Sequence, residues 1–402
     1  MSVQMPEGDR SRAAVLRMIA FEGPVARSAI AEGLQVSPAT VTAITRELIA
    51  AGLVEMAGKA AAAGRGRPSE LLAIVPGAVS LLGAKVMEDH VTWVLADLRG
   101  DVLQAGAVTF DPRPEDPAGR LAGVLAEVIG GVDGSLLGVG LGVPGTVATD
   151  DDGIVTSPMF GWHALPLGHR VAERLGLPVV VDNDVNTLAV AQHLYGSARD
   201  LDDFVTVTVG RGIGLGIFLD GALRRGQRGG AGELGHTLAV PDGPVCDCGR
   251  AGCLEAVAAA PAILDRARAN GLLGAAEGMD VLVAAAETSG PIRAVFVEAG
   301  AHLGVAVADL VNLLAPGAVI ISGEGVAAWS YLRAGFEPAF AARVLPVHTD
   351  TTIVVEPWDD QNWARGAAAL VLRSAYASAA DFARPELDIR NRLHGVATEA
   401  TA

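Results

Sequence analysis

Cys246, Cys248 and Cys253 are the only cysteines in the chain, and all three fall in the stretch CDCGRAGC at 246–253. Thiols this close together can bridge, cycle between redox states or hold a metal. A bridge fits poorly, because the number is odd and Cys-Asp-Cys is too short a span for an unstrained disulfide. The first residues, MSVQMPEGDR, show no basic stretch followed by an apolar core. The expected setting is therefore a reducing cytoplasm, where clustered thiols serve as metal ligands or redox groups. Structural zinc takes four soft ligands, and His236 in GGAGELGH lies ten residues before Cys246, close enough for a loop to fold back. A Cys3His zinc site formed by His236, Cys246, Cys248 and Cys253 is expected, with Gly249 and Gly252 supplying the tight turns of a short chelate loop.

Carboxylates and glycine turns make up the rest of the chemistry. VVVDNDVNTLAVAQ at 179–192 reads as a strand, then Asp182-Asn183-Asp184, then a helix. A carboxylate just past a buried strand is well placed for a site, although Asp184 by itself reads equally as a helix N-cap. GLGVPGTV at 140–147, GRGIGLG at 210–216 and ISGEGV at 321–326 are glycine turns after strands. Taken singly, such turns are as often hairpins as phosphate cradles.

An α/β body must position these groups. From about residue 79, strand-like runs (91–95, 136–143, 178–181, 204–209, 216–219, 318–321 and 352–355) alternate with helical stretches (117–130, 166–175, 186–195, 254–269, 291–314 and 362–376). In front of the body, 11–22 and 26–33 read as helices. Ser37 and Pro38 open a third helix that runs to about Ala51, with Val41, Ile44 and Leu48 on its buried face. Ser37, Ala39, Thr40, Thr42, Ala43 and Arg46 face away from it. This is the pattern of a helix-turn-helix with a recognition helix. Two short strands at 53–56 and 71–74 flank AGKAAAAGRGRPSE, a wing whose Arg65 and Arg67 would reach phosphates and the minor groove. The formal net charge is −16, yet residues 1–75 sum to +1 and the remainder to −17. Any DNA contact is thus confined to the N-terminal segment. No run of 18 or more apolar residues free of charge and glycine appears.

The order GVPG, NDxN, GxGxG…GELGH, CxCGxxGCLE, SGEG resembles the ROK family of repressors, open reading frames and sugar kinases, over nearly the whole chain. The N-terminal module with its GRGRP wing is similar to the repressor branch. The resemblance implies a winged helix-turn-helix at 1–78 followed by a two-lobed actin/hexokinase-like (ribonuclease H-like) body with a sugar cleft between the lobes. The first lobe would span 79–191, joined by a returning helix at 362–380. The second, carrying the zinc, would span 192–361, and 381–402 would form a tail. It also implies sugar contacts at Asn183, Asp184, Glu233, His236 and Glu255, with Asp184 in the place of a kinase's general base.

Family kinases carry Asp-x-Gly-Gly-Thr where this sequence has Lys85 and Met87-Glu88-Asp89. Two carboxylates there would repel a triphosphate. Arg211 replaces a small hydroxyl residue, and Met159 stands at an asparagine position. The expectation is a non-catalytic, sugar-responsive repressor, a homodimer or homotetramer on a pseudo-palindromic operator. Asp184 would be a vestigial base, Zn2+ a structural ion and a membrane no partner. An active kinase with a DNA-binding head and a ligand-independent DNA-binding scaffold are the alternatives.

Overall fold

A computed structural model describes residues 7–59, 69–132, 134–148, 153–376 and 384–399. The chain divides into two compact units, Met1–Tyr195 with Gln361–Ala402, and Gly196–Asp360.

The first unit opens with α1 (Glu7–Glu22), β1 (Val25–Ala26), α2 (Arg27–Gly33), α3 (Pro38–Ala50), β2 (Val54–Lys59) and β3 (Glu70–Ile74). Ser37 caps α3 by accepting the Thr40 N–H at 3.1 Å, and Pro38 takes the first turn, where no N–H is needed. Val41, Ile44, Thr45 and Leu48 are buried. Arg27 Nε donates to Thr45 Oγ1 at 2.8 Å, tying α2 to α3. The strands order β1-β3-β2, giving a three-helix module with a β2–β3 wing. The wing tip with Arg65 and Arg67 lies outside the described residues. Phe21 of α1 meets Tyr376 edge-on at 5.4 Å between ring centroids, so the module is joined to the rest of its unit.

The body of this unit contains β4 (Val79–Val86), β5 (His90–Ala96), β6 (Val102–Thr109), α4 (Pro117–Gly130), β7 (Ser135–Val143), β8 (Thr146–Ala148), β9 (Ile154–Ser157), β10 (Trp162–Pro166), α5 (Leu167–Leu175), β11 (Val179–Asn183) and α6 (Asp184–Tyr195). The main sheet is ordered β11-β7-β4-β5-β6, with β11, β7 and β4 parallel and β4-β5-β6 antiparallel.

The second unit holds β12 (Phe204–Val209), β13 (Ile213–Leu219), β14 (Ala222–Leu223), α7 (Glu255–Ala258), α8 (Ala260–Ala269), α9 (Met279–Ala286), α10 (Gly290–Leu314), β15 (Ala318–Ser322), α11 (Trp329–Arg343) and β16 (Thr352–Val355). Its sheet reads β16-β15-β12-β13-β14 with the same pattern of senses. Each unit therefore builds its main sheet on one topology, its first strand central. The single helix expected over 254–269 is two, because Ala259 is extended (φ −76°, ψ 163°) and Pro261 fits only in a first turn. Among the described residues α10 alone is long and apolar enough to cross a membrane. It is instead the core helix of its unit, held so close to α11 that a Cβ on Gly300 would lie 2.0 Å from Leu332 O.

The chain returns to the first unit through α12 (Asp360–Tyr376) and α13 (Arg384–Glu399). The segment after 380, expected to be a tail, is mostly this last helix. Ile389 and Leu393 are buried, Arg392 donates to Leu136 O at 3.0 Å, and α13 lies against β7 and alongside α3. α12 is buried on nearly every side and lies directly on the sheet. A Cβ on Gly83 would be 2.1 Å from Ala364 O, and one on Gly140 would be 1.9 Å from Ala367 O. Gly140→Ala must push α12 off the sheet and should cost about 1–3 kcal/mol, read as a lower urea midpoint.

Candidate functional site

In the first unit the chemistry gathers where β11 ends and α6 begins. Asn183 caps α6, its Oδ1 accepting the N–H groups of Val185 and Asn186 at 2.9 and 3.3 Å. Its Nδ2 donates to Gly145 O at 2.9 Å, tethering the GVPG turn. The cap expected of Asp184 thus belongs mainly to its neighbour, although Asp184 Oδ1 also accepts the Val185 N–H at 3.0 Å. Asp182, fully buried, braces the turn by accepting from Asn183 N at 2.8 Å and Asn186 Nδ2 at 2.9 Å.

The other carboxylate oxygen of Asp184 is met by Lys85, whose ammonium lies 3.0 Å from Oδ2. The two side chains are only 10% and 14% exposed, so each is the other's main compensation for lost water. The same ammonium sits 3.4 Å from the centre of the Trp363 ring on α12, a cation–π contact that holds it in place. Sequence reasoning noted Lys85 as a departure but missed this pairing. The signal was there: a lysine in the apolar run LLGAKV on a central strand needs a buried carboxylate. Lys85→Met strands the Asp184 charge and should destabilise the protein by about 3–5 kcal/mol. Lys85→Met with Asp184→Asn should recover much of that loss in a double-mutant unfolding cycle.

In the second unit, four donor atoms converge. Those of His236, Cys246, Cys248 and Cys253 all lie within 4.8 Å of one another. Cys246 Sγ is 3.6 Å from His236 Nδ1, and Cys248 Sγ is 3.6 Å from Cys253 Sγ. The edge of a tetrahedron with metal–sulfur bonds of about 2.3 Å is close to this, about 3.8 Å. Two bridges, Leu238 with Cys253 and Val245 with Ala251, staple the loop. Gly249 (φ +85°) and Gly252 (φ +76°) make the turns, and a Cβ on Gly252 would lie 1.8 Å from Val240 O. Donor set and spacing fit a thiolate-binding metal. Burial pushes the metal-free Cys246 thiol up to about 12 and raises Cys253 as well. Hydrogen bonds from the Arg250 backbone and guanidinium bring Cys248 down to about 6.

Glu233 is exposed, its Oε2 3.8 Å from His236 Nε2. Glu255 opens α7, and its Oε2 accepts the Ile213 N–H at 3.0 Å. Ser37, Ala39, Thr42, Ala43 and Arg46 are exposed and Thr40 partly so, all on the open face of α3.

The ROK family model matches residues 82–374, and the chain belongs to the ROK family. It is 32% identical over 378 residues, 90% of this chain and 92% of the relative, to the DNA-binding transcriptional dual regulator NagC of Escherichia coli. It is 30% identical over 329 residues, 77% of this chain and 82% of the other, to the xylose repressor of Caldicellulosiruptor bescii. Among solved structures, a ROK family transcriptional regulator described as a homolog of the Escherichia coli Mlc protein superposes with a TM-score of 0.82. It is 28% identical and covers 98% of this chain and 99% of its own. A ROK glucokinase from Streptomyces griseus, with glucose and AMPPNP, gives 0.63 at 29% identity, covering 72% of this chain and 98% of its own.

Metal binding must expel the protons of Cys246 and Cys253, both raised by burial, while Cys248, brought down to about 6, is already largely thiolate by pH 7. Affinity for a divalent metal, measured by chelator competition, should fall about a hundredfold as pH drops from 8 to 7.

Proposed function

We propose that this protein is a sugar-responsive transcriptional repressor, in which a winged helix-turn-helix is coupled to a kinase-like body that senses a sugar or sugar derivative without phosphorylating it. The observation that carries this reading is the ion pair between Lys85 and Asp184. A general base must accept a proton from the sugar hydroxyl. Asp184 instead has one oxygen on an ammonium and the other on the Val185 N–H. It is fixed as an acceptor for a hydroxyl, a role for a sensor. Coverage supports the same side: a regulator matches 98% of the chain, a glucokinase only 72%.

In this reading Asn183, Asp184, Glu233, His236 and Glu255 hold the ligand, each offering donors or acceptors that hydroxyls pair with and that are costly to leave unpaired. His236, Cys246, Cys248 and Cys253 hold Zn2+, which orders the loop carrying His236. α3 enters the major groove with Ser37, Ala39, Thr40, Thr42, Ala43 and Arg46, and Arg65 and Arg67 of the wing reach the flanking minor groove. A homodimer or homotetramer would read two half-sites. Ligand alters DNA binding only if it prefers one arrangement of the chain over another.

The test is selection of genomic fragments by the zinc-loaded protein, then anisotropy on the best fragment with a panel of sugars and sugar phosphates. One sugar that abolishes or strengthens binding supports the reading and names the ligand. Specific binding that no sugar alters would point to a ligand-independent scaffold, and ADP release with a hexose would point to a kinase. Arg46→Ala should weaken binding to that fragment by about 1–3 kcal/mol, with wild-type response to the sugar once bound.

A further inference from the structure

The three thiols of the His/Cys loop are not equivalent. Cys246 and Cys253 are buried, and Cys248 is exposed. Cys253 is anchored from two sides: its bridge with Leu238 holds the backbone, and its Sγ donates to His236 O at 3.7 Å. Cys246 is fixed where the loop turns back. Its N–H donates to Arg250 O, and its carbonyl accepts the Gly249 N–H, both at 2.8 Å. Cys248 stands at the tip of that turn. A Cβ on the neighbouring Gly249 would meet nothing within 4 Å, so the outer side of the tip is open.

Cys248 Sγ lies 3.6 Å from Cys253 Sγ. A disulfide bond is about 2.05 Å long, so the two sulfurs need to approach by about 1.5 Å. The pair is five positions apart, and the left-handed turns at Gly249 and Gly252 already bring it together. The short span that forbids a bridge within Cys-Asp-Cys does not apply to it. An oxidant arriving from water meets Cys248 first, and the anchored Cys253 thiol is within reach of the product.

We propose that Cys248 and Cys253 are an oxidisable dithiol, which hydrogen peroxide converts to a disulfide that withdraws two of the loop's four metal donors. In the metal-free loop the Cys248 sulfur attacks one peroxide oxygen and the O–O bond breaks. The departing hydroxide takes the thiol proton and leaves as water, and Cys248 becomes a sulfenic acid. The Cys253 sulfur then attacks the Cys248 sulfur. The S–S bond forms, the S–O bond breaks, and a second water leaves with the Cys253 proton. Two electrons pass from the thiol pair to one peroxide, and a dithiol reductant returns them. His236 and Cys246 alone fall short of the four ligands of structural zinc. This chemistry stands whether or not the chain reads DNA or senses a sugar.

The test is addition of hydrogen peroxide to the full chain, first metal-free and then loaded with zinc. In the metal-free chain, thiols counted with a chromogenic reagent under denaturing conditions should fall from three to one, and dithiothreitol should restore them. Trypsin cuts after Arg250, so the link should hold the peptide 229–250 to the peptide 251–266 until it is reduced. Fragmentation of that pair should place the bond at Cys248. The zinc-loaded chain should release its metal in step with thiol loss, read with a chromogenic chelator. Metal-free Cys248→Ser should form a link at least about tenfold more slowly than Cys246→Ser, which keeps both members of the pair. A bond from Cys246, bonds between chains, or equal rates in the two variants overturn the proposal. So does a zinc-loaded chain that loses two thiols yet keeps its metal, or one that resists peroxide at concentrations that oxidise the metal-free chain. Should either variant unfold, the peptide map of the wild-type chain decides alone. No arm uses DNA or sugar, so failure here leaves the repressor reading untouched.

Discussion

The seating of α12 on the central strands of the first unit controls what lies around it. Gly83 and Gly140 remove the side chains that would hold a helix at ordinary distance from a sheet, and the backbone of α12 drops into the space. That places Trp363 over the end of β4, where its ring covers the Lys85 ammonium and the ammonium in turn meets Asp184. With a larger residue in either strand, the lysine would lose its cover. An uncovered ammonium would be drawn towards water, and the carboxylate at the mouth of α6 would lose its partner. The pairing of Asp184 is therefore decided partly by glycines that touch neither partner of the ion pair.

The repeated sheet topology puts corresponding hairpin tips in the two units, β4 to β5 and β12 to β13. Both tips are marked by negative charge, but by different means. In the first, Glu88 and Asp89 belong to the tip itself, and Asp89 is held below the ordinary carboxylate range chiefly by its bond to His90. In the second, the tip keeps its glycines, and the charge is delivered from β15 by Glu324. Phosphoryl transfer relies on positive or dipolar groups around the phosphates. Here one tip carries carboxylates of its own turn, Glu88 beside Arg113, and the other receives the carboxylate of Glu324 from a neighbouring turn.

Much of this was legible in the sequence, and the parts that were not share a cause. The Cys/His spacing located the cluster of four donor atoms because such geometry is local: a few residues and two glycines fix it. α3 was legible from Ser37-Pro38 and the spacing of Val41, Ile44 and Leu48. Strand-end carboxylates stood out at 182–184, and Lys85 stood out as a misfit. What it pairs with did not, since β4, α6 and α12 are brought together only by the sheet and by a helix nearly 280 residues further on. The division of labour between Asn183 and Asp184 was hidden for a smaller reason, a shift of one residue in the start of α6. β6 was missed because its exposed face carries no alternating pattern. α13 was missed because its sequence is polar: among its described residues the buried side is marked by Ile389 and Leu393 together with the polar Glu386 and Arg390.

The last helix also changes how the chain must come together during synthesis. The second unit is continuous in sequence, from Gly196 to Asp360, and all of its residues are made before α12 and α13. The first unit is not continuous: β4 and β7 wait for α12 to cover them, and α1 waits for Tyr376. Domains assemble as their residues become available. The second unit can therefore fold before α12 and α13 are made, while the N-terminal module still lacks its contacts with Tyr376 and α13. A chain cut short within α12 would carry a finished second unit, its His/Cys loop included, and a first unit whose central strands lack their cover.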